Sequence, residues 1–325
     1  MSKRNLVKPL SYGALLVVLF LVPAFIAQPY VLHILIMAGL NIILASSLRF
    51  IATSGQISLG HGCMVSVGAF TSALLVMRLG LSFWAALPLA GLTTMILAFL
   101  VGYPFVRLKG IYFAMVTLFL AEFIRLTAEQ WKSLTGGVAG IIAIPRPNPL
   151  IIPGLLNADF TSKVDFYYLS LVMVVVTLLI LHAIESSRIG MTFFSIQQSE
   201  FLAESIGIDS ARFRVLAFSI GCFFAGMAGA FYSHYFTAMN PSSFGFLLGI
   251  NVFIYMVVGG MLRFYGPIIG AFILTVTPEL ARELKEFEPF VFAGILLLII
   301  LFMPEGLISL PHRLRKIIRE SFSHA

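Results

Sequence analysis

The residues of this chain that could do chemistry are few and lie in apolar surroundings. His33, His61, His182 and His234 occur in or near long apolar stretches, and none has a second His, Cys or acid at the spacing of a metal site. The loop that cradles phosphate and ends in Gly-Lys-Ser or Gly-Lys-Thr is absent from the sequence. The sequence therefore predicts a non-catalytic chain that binds no cofactor itself.

One charged pair stands within an apolar stretch. Glu122 and Arg125 are three positions apart and would share one face of a helix. Ionisable groups inside a membrane are costly and are functional candidates by default. The spacing fits a place on a solute pathway and equally fits a structural ion pair near the end of a helix.

Other polar side chains accompany glycine-rich stretches at residues 55–68 and 259–270. Glycine-interrupted spans are typical of broken helices along transport pathways, but they also allow close helix packing. The candidates for lining such a pathway are Gln56, Ser58, His61, Thr117 and Thr135, together with Glu122 and Arg125. Taken singly, the uncharged ones more often hydrogen-bond a neighbouring helix.

The composition indicates what must position these groups. Of 325 residues, 59% are hydrophobic and 11% are charged, against about 25% charged in an ordinary soluble domain. No soluble fold could hide that much apolar surface, and no polar block is long enough to fold separately. The sequence therefore predicts a single membrane domain over residues 1–325, of the all-α polytopic class.

Ten stretches are long enough to cross a bilayer. They cover approximately residues 10–27, 31–50, 58–78, 82–104, 111–129, 165–184, 213–236, 245–263, 266–282 and 289–304. With the N-terminus in the cytoplasm, 14 Lys and Arg residues fall inside and six outside, as the positive-inside rule requires. Both termini are predicted to be cytoplasmic.

Two connections stand out between these stretches. We call residues 130–164 the outer loop; it contains Thr135-Gly136-Gly137 and four prolines, which favour turns and extended chain. We call residues 185–214 the inner segment; it is charged and carries a short helical pattern of Phe194, Phe201, Ile206 and Ile208.

Short motifs in a fixed order resemble the M-type permease of the bacterial high-affinity branched-chain amino acid ABC importers. They are GQISLGHG at 55–62, VGAF at 67–70, RLKGIYFAMVTL at 107–118, EFIR at 122–125, LTGG at 134–137, SIGID at 205–209, AF at 217–218, AGMAGA at 225–230, NP at 240–241, VGG at 258–260 and FMPEGL at 302–307. The similarity extends over nearly the whole chain.

The resemblance implies a permease in the bacterial inner membrane that carries leucine, isoleucine and valine or related small polar solutes. Its implied partners are a related H-type permease, two cytoplasmic ATPases that bind ATP-Mg, and a periplasmic substrate-binding protein. It also implies a coupling helix that docks on an ATPase, which would involve Glu200, Ala203, Glu204, Gly207 and Ile208. Gly207 would let the chain turn out of that helix.

Other functions fit the same span pattern. Permeases of the same architecture carry urea, short amides or aromatic carboxylates. A secondary transporter working alone would instead take up solute on an ion gradient without ATPase partners. An intramembrane enzyme would need a clustered acid, nucleophile or metal set, which the sequence does not offer.

Overall fold

The protein is described by a computed structural model over residues 18–25, 28–108, 110–152 and 156–281, and at positions 293, 294, 297, 301, 306 and 307. Within these residues the chain is almost entirely helical. The helices are α1 (Pro29–Ala52), α2 (His61–Leu79), α3 (Phe83–Phe105), α4 (Ile111–Gln130), α5 (Lys132–Thr135), α6 (Lys163–Glu185), α7 (Arg188–Gln198), α8 (Glu200–Ser205), α9 (Ser210–Phe236), α10 (Phe246–Gly259) and α11 (Gly266–Ala281).

Four short strands and two 3-10 turns complete the part of the chain that the structure describes. Strand β1 (Ile141–Ile142) pairs antiparallel with β4 (Ala238–Met239), and β2 (Leu150–Ile152) pairs antiparallel with β3 (Leu156–Ala158). The 3-10 turns span Gly137–Ala139 and Pro241–Phe244. The outer loop thus contains turns and extended chain, as its composition predicts, together with the four-residue helix α5.

Seven helical stretches within the described residues are long and apolar enough to cross a membrane. They are α1, α2, α3, α4, α6, α9 and the stretch Pro241–Gly259 that ends with α10; α11 is apolar but shorter. The chain is therefore an all-α polytopic membrane protein. Of the first predicted span, residues 18–25 are described and helical, whereas the span at 289–304 lies almost entirely outside the described residues.

Helix α9 forms the centre of the bundle and packs against α1, α2 and α3. Small residues make this packing possible, because a Cβ added at Gly68 or Gly229 would overlap backbone atoms of the facing helix. Within a bilayer such close backbone approach favours helix association, since lipid is as apolar as the side chains. The core beside it holds Phe50, Phe113, Phe193, Phe218 and Phe231, all fully buried.

The loops and helix ends gather at two opposite ends of the bundle. At one end His234 contacts both Ser72 and the carbonyl oxygen of Pro145 in the outer loop, at 2.9 and 2.6 Å. A carbonyl only accepts, so Nδ1 donates to Pro145 and Nε2 accepts from the Ser72 hydroxyl. We call this the outer end, following the charge distribution along the chain.

At the other, inner end, ion pairs join helices that are far apart in sequence. Arg49 near the end of α1 pairs with Glu185 at the end of α6, and its Nε donates to the carbonyl oxygen of Met261 at 3.2 Å. Both ionic side chains are mostly buried. Breaking such a pair by removing one partner is costly, so this contact fixes the relative positions of α1, α6 and the turn before α11.

Candidate functional site

Between α1 and α2 the chain is not helical, although it stays within the bundle. Residues 53–60 form turns and extended backbone, and Ser54, Gln56 and Ser58 are buried there. We call residues 53–60 the unwound segment. Unwound backbone at such a position is tolerated in membrane proteins only where it is buried in protein or faces a cavity.

His61, the first residue of α2 directly after the unwound segment, has one ring nitrogen without a partner among the described residues. Its Nε2 lies 2.8 Å from the Ser47 hydroxyl, and that hydroxyl already donates to the carbonyl oxygen of Leu44 at 3.0 Å. The hydroxyl has a single hydrogen, so Nε2 must be the donor to Ser47. Nδ1 is then an acceptor, and it is fully buried without a partner among the described residues.

Two further polar atoms in this region are buried and unpaired among the described residues. They are Oε1 of Gln56 and Oγ of Ser58, while Nε2 of Gln56 reaches the carbonyl oxygen of Val106 at 3.5 Å. Leaving a buried polar atom without a partner costs about 1–3 kcal/mol. Three such atoms within six residues indicate a place where a water or a polar solute supplies the missing hydrogen bonds.

Helix α4 and the start of α10 hold the unwound segment in place. Thr117 accepts a hydrogen bond from the backbone N–H of Leu59 at 3.1 Å and donates to Ala114. A Cβ added at Gly249 of α10 would overlap the carbonyl oxygen of Leu59, so the backbones of α10 and the unwound segment are in close contact there. The structure therefore brings four of the predicted pathway residues into one region: Gln56, Ser58, His61 and Thr117.

The predicted Glu122–Arg125 ion pair is present, and a third charge joins it. Nε of Arg125 donates to both carboxylate oxygens of Glu122 at 3.0 and 3.1 Å, and Nη1 of Arg125 pairs with Glu129. All three side chains are partly exposed. Within this cluster two carboxylates face one guanidinium, so the three groups together are negative.

Thr135 lies apart from the unwound segment, at the end of α5 on the outer side. Its hydroxyl contacts the carbonyl oxygens of Ala128 and Trp131, the latter at 2.8 Å. Ala128 lies in the last turn of α4, where carbonyls have no partner within the helix, and Trp131 connects α4 to α5, where its carbonyl also accepts from the backbone N–H groups of Leu134 and Thr135. The contacts give Thr135 a structural role in turning the chain, beside any contact with solute.

Helix α4 is the least buried of the seven candidate spans. One of its faces carries Thr117 toward the unwound segment. Its opposite face is apolar and exposed, and it consists of Ile111, Tyr112, Met115, Phe119, Phe123 and Leu126. A helix with one face in the bundle and the other open is suited to lie between this chain and lipid or a neighbouring subunit.

The inner segment forms two short helices, α7 and α8, and α8 is capped at both ends. The Ser199 hydroxyl accepts from the backbone N–H of Leu202 at 3.4 Å. At the other end Gly207 has φ +87°, and the bonds Ile208 N–H to Ala203 and Gly207 N–H to Glu204 form a Schellman motif. The predicted turn at Gly207 is confirmed.

The five predicted coupling residues have different surroundings. Glu204 and Gly207 are exposed, Ile208 is partly buried, and Ala203 is buried against the bundle. Glu200 points inward and pairs with Arg214 at 2.7 Å. Beside Glu204, the exposed side chains here include large apolar ones: Phe201 of α8 is 80% exposed, and Ile206, directly after α8, is 75% exposed.

Sequence reasoning missed several contacts in these regions. Glu129 stands four residues after Arg125, so helical spacing could have indicated it. The pairs Ser47–His61, Arg49–Glu185 and Glu200–Arg214 join separate elements and leave no periodic pattern in the sequence.

The known proteins that this chain resembles are branched-chain amino acid transport permeases. Residues 30–304 match the family model described as branched-chain amino acid transport system / permease component. The chain is 31% identical to the high-affinity branched-chain amino acid transport permease LivM of Salmonella typhimurium over 305 residues, covering 88% of this chain and 69% of that protein.

More distant similarity extends to a second type of permease. Identity is 25% over 271 residues to LivH of Salmonella typhimurium, covering 79% of this chain and 87% of that one. Identity is 27% over 171 residues to the permease BraD of Pseudomonas aeruginosa, covering 50% of this chain and 55% of that one. No solved structure matches the chain.

Proposed function

The chain belongs to the branched-chain amino acid transport permease family, and from that premise we propose that it moves leucine, isoleucine and valine, or closely related small polar solutes, across the bacterial inner membrane. The unwound segment carries the proposal. Within it and at the residue that follows it, Gln56, Ser58 and His61 place three polar atoms without a partner among the described residues inside an apolar bundle, where a permeating solute could satisfy them in turn.

The charges on α4 suit a zwitterionic solute. The Glu122–Arg125–Glu129 cluster offers both a guanidinium for a carboxylate and carboxylates for an ammonium group. Its net negative charge favours the ammonium end. Thr117 lies five residues before Glu122 on the same helix, which corresponds to roughly 7.5 Å along its axis. We place the cluster and the unwound segment on one pathway, with Thr135 at its outer end.

Transport requires partners that this chain does not supply. We assign the chain a single permease domain of ten spans with both termini in the cytoplasm. We pair it with an H-type permease, because this chain also resembles the permease LivH. Two ATPases would hydrolyse ATP-Mg, and a periplasmic binding protein would deliver the solute. The exposed apolar side chains of Phe201 in α8 and Ile206 directly after it suit docking on an ATPase, because exposed apolar patches mark interaction sites.

Reconstitution of the whole importer tests the solute. The chain, its genetically adjacent permease and ATPases, and the adjacent binding protein are placed in proteoliposomes, and ATP-dependent uptake of leucine, isoleucine, valine and urea is measured. We expect uptake of the three amino acids that requires both ATP and binding protein. Urea uptake alone would replace the proposed solute, and uptake driven by an ion gradient without the ATPases would refute the ABC assignment.

Substitutions in α8 test the docking role. Glu204→Lys reverses an exposed charge, and Gly207→Val forces a β-branched residue into a left-handed backbone conformation. Each is expected to abolish uptake while ATP hydrolysis continues. Asp159→Lys, an equal charge change at an exposed position of the outer loop, is the matched control and should transport normally. Normal uptake by both α8 variants would contradict the assignment.

A further inference from the structure

The inner segment is tied to the unwound segment by side chains that cross between them. Arg214 of α9 pairs with Glu200 of α8 at 2.7 Å, and its Nε points at the carbonyl oxygen of Ser54 at 3.4 Å. The Arg214 side chain is only 8% exposed. One guanidinium therefore bridges the proposed docking helix and the backbone of the unwound segment.

A second contact runs in parallel to the first. Nε2 of Gln197, at the end of α7, donates to the carbonyl oxygen of Ala52 at 3.2 Å. Ala52 is the last residue of α1, where helix carbonyls have no partner within the helix. The side chains of Gln197 and Arg214 thus donate to backbone carbonyls at the point where α1 ends. Gln197 precedes α8 in the sequence and Arg214 follows it.

Gly55 lies where the unwound segment faces the end of α7. It has φ +81°, a left-handed conformation that glycine adopts easily. A Cβ placed there would be in ordinary van der Waals contact with the Cα of Gln197, at 3.6 Å, and with Nη2 of Arg214, at 4.0 Å. The unwound segment, Gln197 and Arg214 are therefore neighbours in space.

We infer that Arg214 and Gln197 are positioning residues that transmit the movement of the ATPase-docked inner segment to the unwound segment, and so to Gln56, Ser58 and His61. The inference rests on the proposed function, since it assumes that α8 docks on an ATPase. Arg214 acts through the Ser54 carbonyl, and Glu200 orients the guanidinium. Interior packing is dense enough to pass on such a displacement.

The first test measures coupling in the reconstituted importer. Arg214→Gln is expected to keep the ATPases bound and hydrolysing, while solute transported per ATP falls about tenfold, the change that one lost charge-assisted hydrogen bond gives in an equilibrium constant. The matched control is Arg212→Gln, two residues earlier on α9. Arg212 is 83% exposed and pairs with Asp209, so its loss should leave the ratio unchanged.

A double variant addresses the chance that loss of the Glu200–Arg214 ion pair disturbs folding. Glu200→Arg combined with Arg214→Glu keeps an ion pair but places a carboxylate, which cannot donate, beside the Ser54 carbonyl. Continued loss of coupling supports the role of the carbonyl contact. Recovery of the normal ratio would show that the ion pair alone suffices and would overturn the inference.

A labelling experiment gives a direct readout without any solute. Ile57→Cys is introduced after Cys63 and Cys222, both buried, are changed to Ala, and its rate of reaction with a maleimide is measured with and without ATP. We expect ATP to change the rate in the otherwise native importer but not with Arg214→Gln. If ATP leaves the labelling rate unchanged in both the otherwise native importer and the Arg214→Gln variant, or changes it equally in the two, the inference is overturned. This outcome does not depend on which solute the importer carries.

Discussion

The crossing of α2 and α9 predicts a sharp difference between two glycine-to-alanine substitutions. At Gly68 an added Cβ would overlap the carbonyl oxygen and Cα of Gly226 and would stand 2.6 Å from its carbonyl carbon. Carbon atoms in contact are normally about 3.5–4.0 Å apart. The two helices would therefore have to separate by roughly 1 Å at their closest point, which neither backbone can avoid by changing a rotamer.

Overpacking of this kind costs about 1–3 kcal/mol in well-packed interiors. Gly39 in α1 is the matched control, because a Cβ there would meet Val174 and Ser170 only at 3.4 Å or more. Gly39→Ala keeps the same chemical change in a helix interior but adds an ordinary contact. It is expected to be neutral or to stabilise by about 0.4–1 kcal/mol through the unfolded chain.

The protein contains its own reporters for this measurement. Cys63 and Cys222 are both free and buried, so a thiol-reactive dye reports unfolding in detergent as the temperature rises. Gly68→Ala should melt clearly below wild type and Gly39→Ala at or above it. Equal melting temperatures for the two variants, or a lower one for Gly39→Ala, would refute the close approach of α2 and α9.

Three further substitutions probe contacts away from that crossing. Arg49→Leu leaves the mostly buried Glu185 without its ion-pair partner and should lower the free energy of unfolding by about 3–5 kcal/mol in the same melting assay. Arg212→Leu, at an exposed position, should lower it by no more than about 1 kcal/mol. Equal effects of the two substitutions would contradict burial of the Arg49–Glu185 pair. Thr117→Val removes the acceptor of the partly buried backbone N–H of Leu59 and should lower the free energy of unfolding by about 1–3 kcal/mol. Thr94→Val, the control, removes only hydrogen bonds to carbonyls of its own helix and should lower the free energy of unfolding less than Thr117→Val does. A larger loss for Thr94→Val would be inconsistent with the Thr117 contact. His234→Phe releases the outer loop from its Pro145 anchor and should speed cleavage of that loop by added protease, and an unchanged cleavage rate would show that the anchor is dispensable.

The sequence by itself determined the membrane class and the positions of the seven candidate spans within the described residues. Hydrophobic length is a local property, because a helix satisfies its own backbone and needs only enough apolar residues to cross the bilayer. The ion pair of Glu122 with Arg125 and the helix end at Gly207 were also readable from the sequence. The first depends on a spacing of three residues, and the second on the left-handed conformation that glycine adopts easily.

The tertiary structure alone decided which polar groups from different elements meet. Arg49 and Glu185 are 136 positions apart, and no periodicity links them. The sequence placed Glu200 among the residues of the coupling helix, but only the packing of α8 against α9 showed that its carboxylate faces inward to Arg214. Burial also separated Ala203, which supports α8 from beneath, from the exposed Phe201 and Ile206. Such contacts depend on how helices cross, and crossing is set by the shapes of many side chains together.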